Sequence, residues 1–286
     1  MKATLVLIAL LAATVARAEE PNMMALAASL LKVHATATNG ATHVGSGVQI
    51  APGKVVTNCH VTKYAAQIGV LRGSQGQNVN AQTAHVGRDV CLLHLPAPVG
   101  FVAEVGRAAD LRRGDTVYAL GFPGGHSFRA SGGKVTALFP HDGGWVIQTD
   151  AAFNLGASGG GLFNAQGKLV GILTFFKHGP GGSFFFAAPI EWAVEQLEAK
   201  PDGVKPLGGS AYWAGAVEKL PYFLQATSMV ADGDFGGHRR IAVLWSEHEP
   251  KNPEAWRALS LAHQRQGNDS EAGRLMAFAS RLPNAH

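Results

Sequence analysis

The chain has 286 residues, 47% of them hydrophobic and 15% charged, which suffices for one globular domain of about 150 to 200 residues and a smaller appended region. Its net charge is +4, but no block of Lys and Arg with interleaved aromatic residues occurs. A nucleic-acid-binding function is therefore not expected.

Residues 1–18 have the pattern of a secretory signal peptide. Lys2 supplies a positive start, residues 3–16 are mostly apolar, and Ala16-Arg17-Ala18 fits an A-x-A cleavage site. The apolar run is too short for a comfortable membrane span. The segment predicts export to a bacterial periplasm or the medium, with cleavage after Ala18 and no stable membrane insertion.

The next segment, 23–33, has apolar residues at helical spacing. They are Met23, Leu26, Ala27, Leu30 and Leu31. This spacing predicts a helix that packs on the following domain rather than on a membrane.

Residues 44–189 alternate short β-rich runs with turns of Gly, Pro, Asn and Asp, which is typical of small barrels. The glycine clusters at 121–125 and 179–182 precede no helix with a Lys-Ser/Thr pair, so a phosphate-binding loop is not expected. The segment 19–200 is therefore predicted to be one mainly β domain with an N-terminal helix.

Two strands of this region end or begin with a residue that can take part in proton transfer. His60 follows a run of β-branched residues, and Asp89 directly precedes an apolar run that is expected to be a strand. Either residue alone fits an ordinary structural role. Other histidines lack metal-ligand spacing, so no metal site is predicted at His34, His43, His85, His94, His126 or His141.

Ser158 lies among glycines in the segment 154–162, between two strand-like runs. A serine is a good nucleophile only when a base takes its proton and preorganised donors receive the oxyanion. Glycine permits a bend that brings the N–H groups of Gly156 and Ser158 together. A plain turn would explain this segment alone. With His60 and Asp89, however, it gives the chain order His, Asp, Ser, which belongs to the two-barrel proteases.

Taken together, these motifs resemble the trypsin-like serine peptidases of the HtrA/Deg type. The resemblance covers about residues 40–195 and implies a mainly β, two-barrel chymotrypsin-like fold. It also implies a serine endopeptidase that cleaves polypeptides through an acyl-enzyme, without metal or cofactor. The segments that carry it are 45–48, 57–61, the Asp89 strand, 148–160 and 186–189.

The resemblance implies a role for each matching residue. Ser158 would be the nucleophile, His60 the general base and then acid, and Asp89 the carboxylate that orients His60. The N–H groups of Gly156 and Ser158 would form the oxyanion hole. Asp150 is the main rival to Asp89, but it lies too close to Ser158 in sequence to fit the family's triad. It is expected to fix a loop instead.

Three positions bear on activation and specificity. Ala157 replaces the aspartate that pairs with a newly cut N-terminus in digestive relatives, so activation by that ion pair is not expected. Gly161 replaces the family's usual proline and costs loop rigidity. Ala152 stands at the base of the primary pocket, so no charge there would hold Arg or Lys. A small or aliphatic substrate side chain is expected, in a pocket formed by Ala152, Thr174, Phe175 and Phe176.

Cys59 and Cys91 are the only two cysteines of the chain. Export would bring both into an oxidising compartment, and each lies next to one member of the predicted His60–Asp89 pair. If that pair is hydrogen-bonded, the two strands must be adjacent. A disulfide between Cys59 and Cys91 is therefore predicted, and two buried thiols are the alternative.

The chain loses β character after a composition change near residue 200. Segment 201–210 is predicted to be a linker, and 211–286 a helical region that resembles tetratricopeptide repeats. Two such repeats are fewer than a free-standing array needs, so the helices are expected to pack on the protease domain. They would serve as a structural cap or as a groove for a protein partner. The predicted helices are 212–229, 236–246, 255–263 and 271–282.

Two functions from different classes follow from these features. The first is an exported, HtrA-like serine endopeptidase. The second is a catalytically silent binding module, in which the protease fold and the helical region recognise peptides or partner proteins.

Overall fold

The computed structural model describes residues 20–283. The predicted signal peptide, 1–18, therefore lies outside the described residues. Helix α1 spans only Met23–Ala27, and the side chain of Asn22 caps it by accepting hydrogen bonds from Met24 N and Ala25 N. The helix predicted over 23–33 is wrong beyond Ala27, because Leu30–Ala37 forms strand β1 with a strand paired on each side. Strand pairing overrides the helical spacing of these apolar residues.

The first half of the fold is an open, eight-stranded antiparallel sheet in the order β14-β6-β7-β3-β2-β1-β4-β5. The expected first barrel is therefore not closed. Its two edge strands contain only four and two residues and do not pair with each other. The strands are β1 Leu30–Ala37, β2 Thr42–Ala51, β3 Lys54–Thr57, β4 Ala65–Arg72, β5 Gln75–Asn78, β6 Ala81–His85, β7 Val90–His94 and β14 Asp202–Gly203.

The second half is a closed barrel of strands β8 to β13, all paired antiparallel, in the order β10-β13-β12-β11-β8-β9. Alternate side chains of these strands point inwards and fill the barrel. Leu162, Val170 and Leu173 are fully buried there. The strands are β8 Thr116–Gly121, β9 Arg129–His141, β10 Gly144–Thr149, β11 Gly161–Asn164, β12 Leu169–Gly179 and β13 Gly182–Pro189.

Short helices connect these strands, and longer helices follow the barrel. Helix α2, Cys59–Thr62, follows β3, and α3, Ile190–Glu195, follows β13. The C-terminal helices are α4 Tyr222–Asp232, α5 Phe235–His248, α6 Pro253–Arg265 and α7 Asp269–Ala279. None of the helices within residues 20–283 is long and apolar enough to cross a membrane.

The helix predicted over 212–229 starts ten residues later than expected, because the segment before it is used elsewhere. Tyr212 N donates to Gly87 O at 2.9 Å, which ties this segment to the first sheet. Pro221 then immediately precedes α4. Helices α6 and α7 form the predicted helix-turn-helix, with Gly267 in its turn at φ +75°.

The C-terminal helices pack on the barrel, as the sequence predicts. The Phe223 ring of α4 stacks on Phe139 of β9 at 4.5 Å between ring centroids. Gly181 N donates to Ala231 O at 2.9 Å, and a Cβ atom at Gly181 would lie only 1.8 Å from Val230 O. This close approach requires glycine.

The segment 201–210 runs along the first sheet. Residues 202–203 pair with β6 as strand β14, and Leu207 N donates to Lys63 O at 2.7 Å. Lys63 Nζ donates to Gly209 O at 2.9 Å. These contacts hold the segment that follows the barrel against the first sheet.

Candidate active site

His60 and Asp89 are delivered by adjacent strands of the first sheet. Strands β3 and β7 pair with Thr57 opposite Cys91, so the residues just beyond Thr57 meet those just before Val90. His60 lies in helix α2, and Asp89 precedes β7 in the left-handed conformation, with φ +59°. This conformation is uncommon outside glycine and is found where surrounding contacts hold it.

The carboxylate of Asp89 holds His60 at two points. Asp89 Oδ2 lies 2.6 Å from His60 Nδ1, and Asp89 Oδ1 accepts from His60 N at 2.8 Å. The Asp89 side chain is 1% exposed and that of His60 is 32% exposed. Because a carboxylate only accepts hydrogen bonds, Nδ1 carries the hydrogen. Nε2 of a neutral His60 is then left free to accept a proton.

The two cysteines flank this pair. The structure contains the predicted disulfide between Cys59 and Cys91, with their Cα atoms 4.9 Å apart. Cys59 N also donates to Asp89 O at 3.4 Å. The disulfide thus links the short helix of His60 to the strand that follows Asp89.

The Ser158 loop joins β10 to β11 on the barrel, and two of its glycines are required by close contacts. Gly156 has φ +92° and Gly159 has φ +85°. A Cβ atom would lie 2.5 Å from Gly124 N at the first position and 2.1 Å from Ser46 O at the second. Only glycine fits both conformations without displacing backbone atoms.

Ser46 of strand β2 fixes the carbonyl groups of this loop. Ser46 N donates to Ser158 O at 2.7 Å, and Ser46 Oγ donates to Gly156 O at 2.8 Å while accepting from Phe122 N. Within residues 20–283 the N–H groups of Gly156 and Ser158 donate to no protein atom. Two neighbouring donors are therefore available to an acceptor that comes from outside the chain.

Thr174 on β12 connects Ser158 to the His60–Asp89 pair. Ser158 Oγ donates to Thr174 O at 3.3 Å, and the structure gives it no hydrogen bond to His60. Asn58 Nδ2 contacts Thr174 Oγ1 at 3.3 Å and donates to Asp89 O at 2.9 Å. The three predicted residues are thus brought to one place, but no hydrogen bond joins Ser158 to His60 in the structure.

Asp150, the rival acid, lies elsewhere. Its Oδ1 accepts from Lys134 N at 2.5 Å, and its own N donates to Lys134 O at 3.2 Å. These bonds fix the irregular pairing of β9 with β10 next to Thr149. The geometry agrees with the loop-fixing role expected for Asp150.

The predicted pocket residues have different surroundings. Thr174 is buried against Ser158, whereas Ala152 is exposed. Phe175 stacks on Phe186 at 4.7 Å, and Phe176 contacts Phe153 edge-to-face at 5.9 Å, on the other side of β12. A cavity of about 450 Å³ lies away from Ser158, between the barrel and the C-terminal helices.

Sequence reasoning missed one residue that touches the pair. Trp213 Nε1 donates to Asp89 Oδ2 at 3.1 Å, and the Trp213 ring meets the His60 ring edge-on at 5.4 Å. The residue lies in a segment that the sequence predicts to be helical, with no motif around it. Ser46 belongs to a segment that contributes to the resemblance, but its hydroxyl had no predicted role.

Arg88 is next to Asp89 in sequence, but its guanidinium does not bind the Asp89 carboxylate. Its guanidinium donates to Asp142 Oδ2 at 2.7 Å and also binds Glu195. The Arg88 hydrogen bond holds the pKa of Asp142 below its usual range. No cluster of three or more His, Cys, Asp or Glu that could hold a metal occurs in the part of the chain that the structure describes.

Comparison with known proteins defines the class of this domain. Residues 45–172 match the model of the trypsin-like peptidase domain. A probable periplasmic serine endoprotease, DegP-like, from Ectopseudomonas mendocina is 36% identical over 185 residues, covering 61% of this chain and 38% of the relative. A protein of the same description from Halomonas elongata is 30% identical over 223 residues, covering 74% and 44%. The chain thus spans less than half the length of these relatives.

Solved structures agree with this assignment. An HtrA-type protease, an AlgW variant with a tripeptide, is 30% identical with a TM-score of 0.53 and covers 59% of this chain and 58% of its own. The active form of the Rv3671c protease from M. tuberculosis is 22% identical with a TM-score of 0.57, covering 72% and 99%, and it supports the fold alone. Residues 45–172 therefore have the fold of the trypsin-like peptidase domain whose model they match. The two relatives named above are described as DegP-like serine endoproteases, and the first of the two structures as an HtrA-type protease.

Proposed function

We propose that the chain is an exported serine endopeptidase of the HtrA type that hydrolyses peptide bonds with a triad of His60, Asp89 and Ser158. The observation that best supports it is the hydrogen bond between the buried Asp89 carboxylate and His60, with 2.6 Å between Oδ2 and Nδ1. Beside this pair lies the Ser158 loop, where the N–H groups of Gly156 and Ser158 donate to no atom of residues 20–283. Peptidase chemistry needs a base, an orienting acid and oxyanion donors in one place.

In this mechanism Ser158 Oγ attacks the carbonyl carbon of the scissile bond while His60 Nε2 takes the hydroxyl proton. The imidazolium is stabilised by Asp89, and the negative oxygen accepts from the N–H groups of Gly156 and Ser158. His60 then gives the proton to the leaving amine as the C–N bond breaks. Water, deprotonated by His60, then attacks the acyl carbon. The ester bond to Ser158 Oγ breaks, this oxygen takes the proton back from His60, and the acid product leaves.

Before the first step, the Ser158 hydroxyl has to turn from Thr174 O towards His60 Nε2. It gives up one long hydrogen bond of 3.3 Å and gains one to the base. A bound substrate would favour this rotamer because it brings the electrophilic carbon to the hydroxyl.

The proposed substrates are polypeptides, supported by the HtrA-type structural neighbour, which was solved with a tripeptide. A small or aliphatic residue before the scissile bond is proposed because Ala152 offers no charge to Arg or Lys. The proposed compartment is the periplasm or the medium, supported by the pattern of residues 1–18 and by the relatives' description as periplasmic.

The proposal is tested by Ser158→Ala, with Ser74→Ala as the matched control. Ser74 is an exposed serine in the turn between β4 and β5. Loss of the nucleophile should lower kcat on casein by about a million-fold, and a fluorophosphonate probe should label wild type and Ser74→Ala but not Ser158→Ala. Casein cleavage by Ser158→Ala within tenfold of wild type would refute the triad.

The second candidate, a catalytically silent binding module, is favoured by one observation. The Ser158 hydroxyl donates to Thr174 O rather than to His60. If this arrangement persisted with peptide bound, the wild-type protein would bind peptides but would neither cleave them nor react with the fluorophosphonate. Labelling of Ser158 separates the two functions.

For the C-terminal helices we propose the role of a cap that covers one side of the barrel. The Phe139–Phe223 stack and the ion pair of Arg113 with Glu254, at 2.9 Å, support this role. A tetratricopeptide-like groove for a protein partner is the alternative for the same helices.

A further inference from the structure

The Asp89 carboxylate is buried with few hydrogen-bond donors. Among residues 20–283 it accepts from His60 N, His60 Nδ1 and Trp213 Nε1, and the nearby cation of Arg88 binds Asp142 and Glu195 instead. Trp213 is thus its one donor side chain besides His60 itself. A buried carboxylate needs such donors, because each lost hydrogen bond to a charged group is costly.

Trp213 comes from outside the matched peptidase domain, 45–172. It belongs to the segment 207–214, which we call the strap. The strap is bound to both elements that carry the pair. Leu207 N donates to Lys63 O directly after helix α2, and Tyr212 N donates to Gly87 O in the turn before Asp89. The indole is therefore placed by the same backbone that places His60 and Asp89.

The ring of Trp213 is held on two sides. One edge faces the His60 ring at 5.4 Å and 89°, and its face stacks on Phe175 at 5.0 Å and 19°. Phe175 in turn stacks on buried Phe186. Aromatic pairs in these geometries are favourable and define ring orientation. The ring therefore covers the Asp89–His60 hydrogen bond and restrains the imidazole.

Among residues 20–283, no other side chain donates to the Asp89 carboxylate in place of this indole. The hydroxyl of Thr174 is linked to the Asp89 backbone through Asn58, but it donates to Ile172 O at 2.8 Å. The hydroxyl of Tyr212 is buried and has no hydrogen-bond partner in the same part of the chain. Burial raises the pKa of Tyr212, and the charge of Asp89 adds to that rise.

We propose that Trp213 is a positioning residue of the His60–Asp89 pair, so that the peptidase site is completed by the strap. The inference rests on the proposed function. The indole N–H fixes the rotation of the carboxylate, so that Oδ2 stays aimed at Nδ1, and the ring keeps water from the hydrogen bond. A carboxylate held in this way stabilises the imidazolium in the transition state.

The test is Trp213→Phe, which keeps an aromatic ring and removes the N–H. The matched control is Trp256→Phe. The indole N–H of Trp256 donates to Pro250 O at 2.8 Å in the C-terminal helical region, so this variant also loses one indole hydrogen bond. Trp213→Phe should lower kcat and the rate of fluorophosphonate labelling about tenfold, with KM within twofold, because transition-state stabilisation alone is lost. In Trp256→Phe, kcat and the labelling rate should stay within twofold of the wild-type values.

The pH profile separates positioning from a structural effect. A carboxylate that is no longer held towards Nδ1 stabilises the protonated imidazole less well. The acid limb of kcat/KM should therefore move to lower pH in Trp213→Phe, whereas simple loss of folded protein would lower the whole profile without moving it. A kcat within twofold of wild type together with an unmoved acid limb would overturn the proposal.

A second measurement does not depend on activity. Trp213→Phe should lower the urea midpoint in the wild-type background by at least twice as much as in Asp89→Asn, because the lost bond ends on the Asp89 carboxylate. Equal shifts in both backgrounds would refute the contact. If wild type is not labelled by the probe but the coupling is present, the proposed function fails and the contact stands.

Discussion

The first sheet and the closed barrel hold their parts of the site in different ways. His60 and Asp89 are joined at two points, buried on the carboxylate side and flanked by the Cys59–Cys91 disulfide. Ser158 is half-buried on a loop in which, among residues 20–283, the N–H groups of Gly156 and Ser158 donate to no protein atom, and its hydroxyl donates to Thr174 O. His60 and Asp89 are thus bound to each other in this structure, whereas Ser158 is hydrogen-bonded to neither of them.

Covalent and noncovalent constraints account for this difference. The disulfide joins residues 32 positions apart and contributes about 3 to 4 kcal/mol in the chain-entropy model. The Ser158 loop has no such link, and its connections to the first sheet are hydrogen bonds to Ser46. A loop held only by hydrogen bonds can adjust its position more easily than one held by a disulfide.

The largest expected effect comes from breaking the preassembled pair. Asp89→Asn should lower kcat about ten-thousand-fold, because an amide cannot stabilise the imidazolium and favours the wrong tautomer. Circular dichroism should show a retained fold. The control is Asp150→Asn, whose kcat should lie within tenfold of the wild-type value. An unchanged rate in Asp89→Asn with a large loss in Asp150→Asn would assign the acid to Asp150 instead.

A smaller effect is expected where the two halves meet. Ser46→Ala removes the hydroxyl that binds Gly156 O and Phe122 N. Kcat should fall about ten- to hundredfold, less than for removal of an oxyanion donor itself, because the Gly156 N–H remains but is less well aimed.

The matched control is Ser29→Ala, which removes another buried hydroxyl, bound to Leu26 O at 2.8 Å away from the loop. It should leave kcat within twofold. If Ser46→Ala and Ser29→Ala behaved alike, the Ser158 loop would not depend on this connection.

Local motifs made much of the candidate site predictable. Asp89 immediately precedes β7, His60 lies in the short helix after β3, and Ser158 lies in the loop before β11, so each is close to a strand. The cysteine pair followed from that geometry. Trp213 could not be predicted, because its contact with Asp89 spans 124 positions and depends on the path of the strap over the first sheet. A lone aromatic residue carries no signal of so distant a hydrogen bond.

The errors in the fold have a similar origin. Residues 30–33 have helical spacing of apolar side chains, yet they become a strand because β2 and β4 pair on either side. Barrel closure depends on whether edge strands are long enough to meet, and β14 is supplied by a segment that the sequence predicts to be a linker. Both outcomes are set by contacts between distant segments.

The smallest predicted effect concerns an ion pair that joins the two halves beside Asp89. Arg88 of the first sheet binds Asp142 in the turn between β9 and β10 of the barrel, and its own side chain is 14% exposed. Asp142 is 51% exposed, so solvent screening limits the pair to about 0.5 to 1 kcal/mol. Arg88→Gln should lower the free energy of unfolding at pH 7 by that amount in urea titrations.

The pH dependence of this difference follows from the Asp142 pKa, which the Arg88 hydrogen bond lowers. A carboxyl with a depressed pKa in the folded state contributes stability that is present above its unfolded pKa and is lost as pH falls through the folded value. The gap between wild type and Arg88→Gln should therefore be constant from pH 7 to about 5 and close below about pH 4. Arg107→Gln is the control, because its 3.9 Å contact with Asp110 is exposed on both sides and should contribute almost nothing. An equal difference in unfolding free energy at pH 7 and at pH 2.5 would contradict a role for the Arg88–Asp142 charge pair. It would show that Arg88 acts by packing on Trp192, whose ring centroid lies 5.2 Å from Arg88 Cζ.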